Sequence, residues 1–243
     1  MIYIASIAGK HHSVSEDAVV VGKEVLSETM EELQVPDSGF MCVCDGVGGN
    51  RGGADASTFV CQTLANVESV QPDEIRTLLE ETNKQLISRA QETPELKQMA
   101  TTLTGVYKDG DSFTLIHVGN TRAFIKQGNY LKQLTSDHTT FNWLKSSGQM
   151  EAAEACNKSE ITNCFGGNNP ALLGKLVVSE LKMFSLLLLT SDGVHEYVDV
   201  DSLEAIVNGE DSYSDKCNQI LLAAESAGSD DDMTVVIISL EEG

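Results

Sequence analysis

Between Thr101 and Leu134 the chain strings together four short β-type runs: Thr101–Tyr107, Ser112–Val118, Arg122–Lys126 and Tyr130–Leu134. Only KDGD, GNT and QGN separate them. Gaps that short can reverse a strand but cannot hold a crossover helix, so an antiparallel meander is predicted. The strand–helix alternation of a doubly wound parallel sheet is thereby excluded here. Further strands are predicted at Ile2–Ala8, Ala18–Val21, Phe40–Cys44 and Met233–Leu240, with Lys175–Leu181 and Phe184–Thr190 as another strand pair. Helical spacing of apolar residues covers Ala54–Val67 and Pro72–Arg89, the latter with Pro72 in its first turn, and Ser214–Ala227; shorter helices are predicted at Phe141–Ser147, Met150–Cys156 and Leu203–Val207. Strands in consecutive runs and helices in pairs predict an α+β fold, a β-sandwich of two antiparallel sheets with helices outside.

At 243 residues with only 4 prolines and no Pro/Ser-rich linker, one domain is expected. The formal net charge of -21 repels nucleic acid and anionic membranes and favours basic partners or bound cations. Six cysteines include no CxxC pair and several lie in apolar runs, which points to buried free thiols in a reducing compartment. The start, MIYIASIAGKHH, lacks the features of a signal peptide, and the aliphatic run in LLLLTSDG is too short to span a bilayer. A cytoplasmic monomer is expected.

The stretch FMCVCDGVGGNRGG ends an apolar run at Asp45 and then spends five glycines. It is not a dinucleotide fingerprint, because Arg51 stands where the third glycine belongs, and not a Walker A loop, because Ala54 follows Gly53. The pattern recurs in SLLLLTSDG, where Asp192 ends the run. Ser15-Glu16-Asp17 precedes AVVV, and Asp230-Asp231-Asp232 precedes MTVVIIS. A single Asp-Gly is ordinarily a turn, and a run of three aspartates ordinarily a solvated charge cluster. Four carboxylate clusters at strand ends are another matter. If they meet at one rim of a sandwich they need cations, and oxygen-only donors suit hard ions such as magnesium or manganese.

These residues resemble, in order along nearly the whole chain, the metal-dependent protein serine/threonine phosphatases of PPM type, or type 2C. SEDA resembles a NEDA-like first motif, CDGVGGNRGGADAS the DGxGG motif, ATTLTGV the GTT strand and HVGNTRAFI the GDSR segment. LKQLTSDHT resembles LTxDH, LLLTSDGVHEYV the SDG motif, and DDDMTVVII the closing DNxT strand. The resemblance implies a sandwich flanked by helix pairs that hydrolyses phosphoserine and phosphothreonine with two magnesium or manganese ions. It implies that Asp45 bridges both ions, that the Gly46 carbonyl binds the second, and that Asp192 and Asp231 bind the first. Glu16 would hold water on the second ion, with Asp17 beside it, and the later glycines would turn the chain into the following helix. Two ions roughly 3.5–4 Å apart make a bridging water nucleophilic near neutral pH.

The chain departs from that pattern in several places. His12 in KHHSVSED stands where the family has a phosphate-gripping arginine, so His12, Glu16 and Asp17 are the catalytic candidates. Asn120 replaces the aspartate of GDSR, which leaves only a weak third metal site. Val47 replaces a histidine that some members use as proton donor; His138 and His195 are the other histidines that could serve. Residues 139–170 correspond to a flap, with Gly166-Gly167-Asn168-Asn169-Pro170 as its hinge and Asn163 in the place of an arginine. Phosphoproteins and a cognate serine/threonine kinase or its targets are the expected partners. Because of His12 and Asn120, a catalytically weak relative that binds phosphoproteins as a scaffold remains an alternative, and small-molecule phosphoesters a third.

Overall fold

A computed structural model describes residues 1–47 and 51–240, and each strand in it sorts its side chains by parity. The chain opens with β1 (Ile2–Ile7), β2 (Asp17–Val21), β3 (Glu24–Leu26), β4 (Met30–Leu33) and β5 (Ser38–Val47), followed by α1 (Arg51–Ala65) and α2 (Ile75–Glu92). Next come β6 (Ala100–Thr101), β7 (Leu103–Asp109), β8 (Ser112–Val118), β9 (Arg122–Gln127) and β10 (Tyr130–Gln133), then α3 (Thr140–Ser146) and α4 (Met150–Ala155). The remainder is β11 (Phe165–Gly166), β12 (Val177–Leu181), β13 (Leu186–Thr190), α5 (Asp192–His195), α6 (Val200–Val207), α7 (Tyr213–Ser226) and β14 (Met233–Ser239).

One sheet runs β10-β9-β13-β14-β1-β4; the other runs β11-β6-β5-β7-β8-β12, with β2 pairing β5 and β3. Every pairing is antiparallel. Val19, Val21, Met41, Val43, Val106, Leu187, Leu189, Val236 and Ile238 meet between the two sheets. Their strand neighbours Ala18, Val20, Phe40 and Cys42 turn the other way, onto Val60, Leu64, Leu79 and Leu86 of α1 and α2. On the opposite side Leu186, Leu188, Val235 and Ile237 pack on Leu203, Ile220 and Leu221 of α6 and α7. The layers are therefore α-β-β-α. Strands such as LLLLT and MTVVIIS are apolar throughout because both of their faces are covered. Side-chain caps fix several helix starts: Thr139, Asp199 and Ser212 accept from the backbone N–H of Asn142, Ser202 and Asp215.

Three local expectations are corrected. The meander divides: β7–β8 and β9–β10 are hairpins, but in different sheets. The chain crosses over at Gly119, whose φ of +111° and tight packing on Thr102 suit glycine alone. Lys175–Leu181 and Phe184–Thr190 are not a strand pair either. β12 pairs with β8, whereas β13 lies between β9 and β14. Short runs report burial but not the partner strand, and β13, fully buried, needs neighbours on both edges. Pro72 lies in a turn ahead of α2, which begins at Ile75.

All six cysteines are free, five of them buried. Burial pushes the Cys164 thiol up to about 11 and that of Cys217 up to about 12, so neither is a ready nucleophile. No helix among the described residues is long and apolar enough to cross a membrane.

Candidate functional site

The same parity that builds the core carries two acids to its edge. Along β2 the inward positions are Asp17, Val19 and Val21; along β5 they are Met41, Val43 and Asp45. The ladder sets Asp17 directly opposite Asp45. At this rim the inter-sheet space changes from apolar to polar. The side chains of Thr234 and Ser191, from the facing sheet and its edge, favour the ionised form of Asp17. Ser6 Oγ lies 2.8 Å from Thr234 Oγ1.

The backbone of Asp45 is clamped by the two threonines after Ala100. Its N–H donates to Thr102 Oγ1 at 3.0 Å, and its carbonyl accepts from Thr102 N–H at 2.8 Å and Thr101 Oγ1 at 2.9 Å. Gly46 is required by crowding: a Cβ there would lie 2.4 Å from the carbonyl carbon of Gly53 and 2.8 Å from the Glu16 carbonyl oxygen. Gly53, in α1, has the Glu16 carboxylate against it, with Cδ 2.6 Å from where a Cβ would sit. Glu16 itself is buried. The expected tight turn of the later glycines falls on Gly48 and Gly49, outside the described residues.

Asp192 opens α5 directly after β13. Its Oδ2 accepts from Asn120 Nδ2 at 2.8 Å, and its charge acts on Asp45. Asn120 reaches it because the β8–β9 crossing between sheets occurs there. Asp231 is exposed at the mouth, its Oδ1 accepting from the Asp232 N–H at 2.9 Å, and its charge acts on both Asp45 and Asp192. The structure thus brings Asp17, Asp45, Asp192, Asp231 and Asn120 together from five separate segments.

Their electrostatics are strained. Burial, then the charges of Asp192, Asp17 and Asp231, push Asp45 well above the usual carboxylate range. Burial raises Asp17 to about 8, the charges of Asp232 and Asp192 adding to it. Asp192 rises to about 6, through burial first and Asp231 next. Among the described residues no lysine or arginine pairs with Asp17, Asp45, Asp192 or Asp231. Three buried oxygens, Asp17 Oδ2, Asp45 Oδ2 and Asn120 Oδ1, have no hydrogen-bond partner. Buried orphan acceptors are rare and cost on the order of 1–3 kcal/mol each. An all-oxygen donor set with excess negative charge and unfilled acceptors fits a hard divalent cation.

Asp232, legible in sequence only as one of a run of three, is the hub of the adjoining loop. Its Oδ1 accepts from Gly9 N–H at 2.7 Å; its Oδ2 accepts from Glu16 N–H at 2.6 Å and lies 2.9 Å from His12 Nδ1. That hydrogen bond raises the His12 pKa above its ordinary value, against the effect of burial. His12, Asp231 and Asp232 present ligand atoms within 4.8 Å of one another, but the Asp232 oxygens already serve three nitrogens. The available signal was a double departure: aspartate where DNxT has asparagine, and histidine where the first motif is preceded by arginine.

The other histidines are committed elsewhere. His195 is buried, with Nδ1 2.8 Å from Thr190 Oγ1, and burial holds it well below its usual pKa. His138 accepts through Nδ1 from Gly119 N–H at 3.1 Å and stacks on His117, with burial lowering it to about 4. Asn163 donates to the Leu172 carbonyl within its own loop. Arg122 and Asp137, from the GNTR and TSDH segments, form a two-pronged pair with contacts of 2.6 and 3.0 Å. Gly166, Gly167 and Asn168 take consecutive left-handed conformations at the end of the 139–170 segment.

Comparison with known proteins gives a consistent result. The profile of the family described as Protein phosphatase 2C matches residues 32–234. The serine/threonine phosphatase stp of Listeria welshimeri is 29% identical over 211 residues, 82% of this chain and 83% of that protein. The protein phosphatase PhpP of Streptococcus pneumoniae is 28% identical over 212 residues, 84% of this chain and 86% of that one. The crystal structure of serine/threonine phosphatase Stp1 from Staphylococcus aureus superposes with a TM-score of 0.82 at 25% identity, covering 99% of this chain and 95% of that one. The serine/threonine phosphatase PstP/Ppp of Mycobacterium tuberculosis shares the fold, with a TM-score of 0.82 at 22% identity.

Proposed function

The chain belongs to the protein phosphatase 2C family, and from that premise we propose that it hydrolyses phosphoserine and phosphothreonine on proteins with the help of two divalent ions at the sheet rim. The observation that carries this reading is the convergence of orphaned buried oxygens from Asp17, Asp45 and Asn120 beside Asp192. Asp45, the Gly46 carbonyl, Asp192 and Asp231 would hold magnesium or manganese, and Asn120 Oδ1 offers an uncharged donor for a weak third ion. When bound, such ions supply an activated water and offset charge on the phosphoryl oxygens.

The remaining work falls to the chain. Thr101 and Thr102 fix the Asp45 backbone, so its carboxylate is aimed before substrate arrives. Asn120 directs one oxygen of Asp192 through its amide. Glu16, held by Asp232 through its N–H and packed on Gly53, orients water at the rim. His12, with Nδ1 on Asp232, keeps its proton more readily and presents Nε2 to a substrate phosphate in the role of the family's arginine. No cysteine nucleophile is needed.

We take residues 1–243 as one domain, with 139–170 as a flap over the site, acting as a cytoplasmic monomer opposite a serine/threonine kinase. The test is hydrolysis of a phosphothreonine peptide with manganese, with excess chelator, and with Asp45→Asn or Asp192→Asn. Loss of turnover by more than a hundredfold in the last three is expected. Full turnover in chelator would sink the metal reading, and binding of phosphopeptide without turnover in manganese would favour the scaffold alternative.

A further inference from the structure

Beside Asn120 a cavity of about 630 Å³ opens between the rim and the α3–α4 segment. Its walls include Phe141, Lys145 and Lys158. The two ammonium groups flank one aromatic ring: Lys145 Nζ lies 5.8 Å and Lys158 Nζ 5.5 Å from the Phe141 centroid. Neither lysine has a carboxylate within ion-pairing distance among the described residues. The acids of the same cavity are engaged. Asp137 is neutralised by Arg122, and Glu196 accepts from Ser159 Oγ at 3.0 Å. In a chain of net charge -21, two unpaired lysines facing one cavity at the edge of the candidate site form a local cationic spot in a repulsive field.

We propose that this cavity is a substrate subsite for an anionic side chain, carboxylate or phosphorylated, that flanks the phosphoserine or phosphothreonine. The inference rests on the phosphatase reading and adds a substrate class to it. The Phe141 ring gathers both ammonium groups, and the Arg122–Asp137 pair lies in the same wall.

The experiment compares phosphothreonine peptides whose flanks carry aspartate, a second phosphate, alanine or lysine, with wild type and the double variant Lys145→Gln/Lys158→Gln. Each exposed ion pair is worth up to about fivefold, so kcat/KM is expected to favour the acidic flanks over alanine by up to about thirtyfold at low salt. The double variant should bring that ratio close to one, and added salt should shrink it in wild type. The aspartate and second-phosphate arms show which anion is preferred. Equal rates for all flanks, preference for lysine flanks, or a ratio unchanged in the double variant would overturn the proposal. A parallel binding titration uses peptides bearing a non-hydrolysable phosphonate and reads the fluorescence of Trp143, the chain's sole tryptophan, exposed on α3. If no peptide is hydrolysed but acidic flanks still bind more tightly through the two lysines, the phosphatase reading fails and the subsite stands. If hydrolysis proceeds while binding ignores the flank, the subsite fails alone.

Discussion

Removing divalent ions from this protein should make its stability fall as pH rises from 6.5 to 8, with Asp17 contributing a measurable share. Its carboxyl titrates near 3.8 in an unfolded chain and is raised to about 8 in the fold. A group with a raised folded pKa stabilises when protonated; its contribution is complete below 3.8 and disappears as pH passes through 8. Across that whole window the ceiling is roughly 6 kcal/mol, from about 1.4 kcal/mol per pKa unit. Asp192, raised to about 6, follows the same sign but is spent by then. His138, lowered to about 4, and the buried His117 and His195, also lowered, act in the opposite direction, gaining stability until the unfolded histidines lose their protons near 6.5. Between 6.5 and 8 the three lowered histidines are flat, whereas Asp17, Asp45 and the raised His12 all lose stability as pH rises; Asp17 by itself gives a slope of about -1.4 kcal/mol per pH unit and a loss of about 2 kcal/mol. Such a loss is a large share of an ordinary domain's stability. The assay is urea unfolding in chelator at several pH values, for wild type and Asp17→Asn, repeated with manganese. Asp17→Asn keeps the shape but cannot titrate, so its curve should fall less steeply than the wild type's, by about 2 kcal/mol over this window. Manganese should reverse the wild-type slope, because cation binding needs the carboxylates deprotonated. Equal slopes for the two chains in chelator would show that Asp17 is not protonated in the folded protein in this range.

Three further outcomes are expected. His12→Ala should raise KM for a phosphopeptide several-fold at pH 6.5 with a smaller change in kcat; an unchanged KM there would remove His12 from phosphate binding. Asn120→Asp should tighten a third ion in a manganese titration by calorimetry, yet lower the melting temperature in chelator, because it replaces a hydrogen bond to Asp192 with a like charge. Gly46→Ala should cost more than about 2 kcal/mol and weaken manganese binding, since the added methyl overlaps the Gly53 backbone and the site must shift; a melting temperature within a degree of wild type would contradict this packing argument.

The antiparallel character of the strands, the carboxylates at their ends, and the order of motifs that implied the family were all legible in the amino-acid sequence. These are properties of adjacent residues: a two-residue alternation, a turn too short for a helix, an acid after an apolar run. Partnership between distant strands was not legible. The runs at Lys175–Leu181 and Phe184–Thr190 look like one hairpin, yet they serve opposite sheets, and the meander from Thr101 to Leu134 is split by a single crossing at Gly119. That crossing is what presents Asn120 to Asp192. Nor did the run Asp230-Asp231-Asp232 reveal that its last member binds Gly9, Glu16 and His12, more than two hundred positions away in the chain. These contacts exist only once the sheets have packed. Side-chain parity says which face a residue takes, whereas the packing of one sheet on the other decides what waits on that face, and therefore whether a buried carboxylate meets a hydroxyl, another acid, or room for an ion.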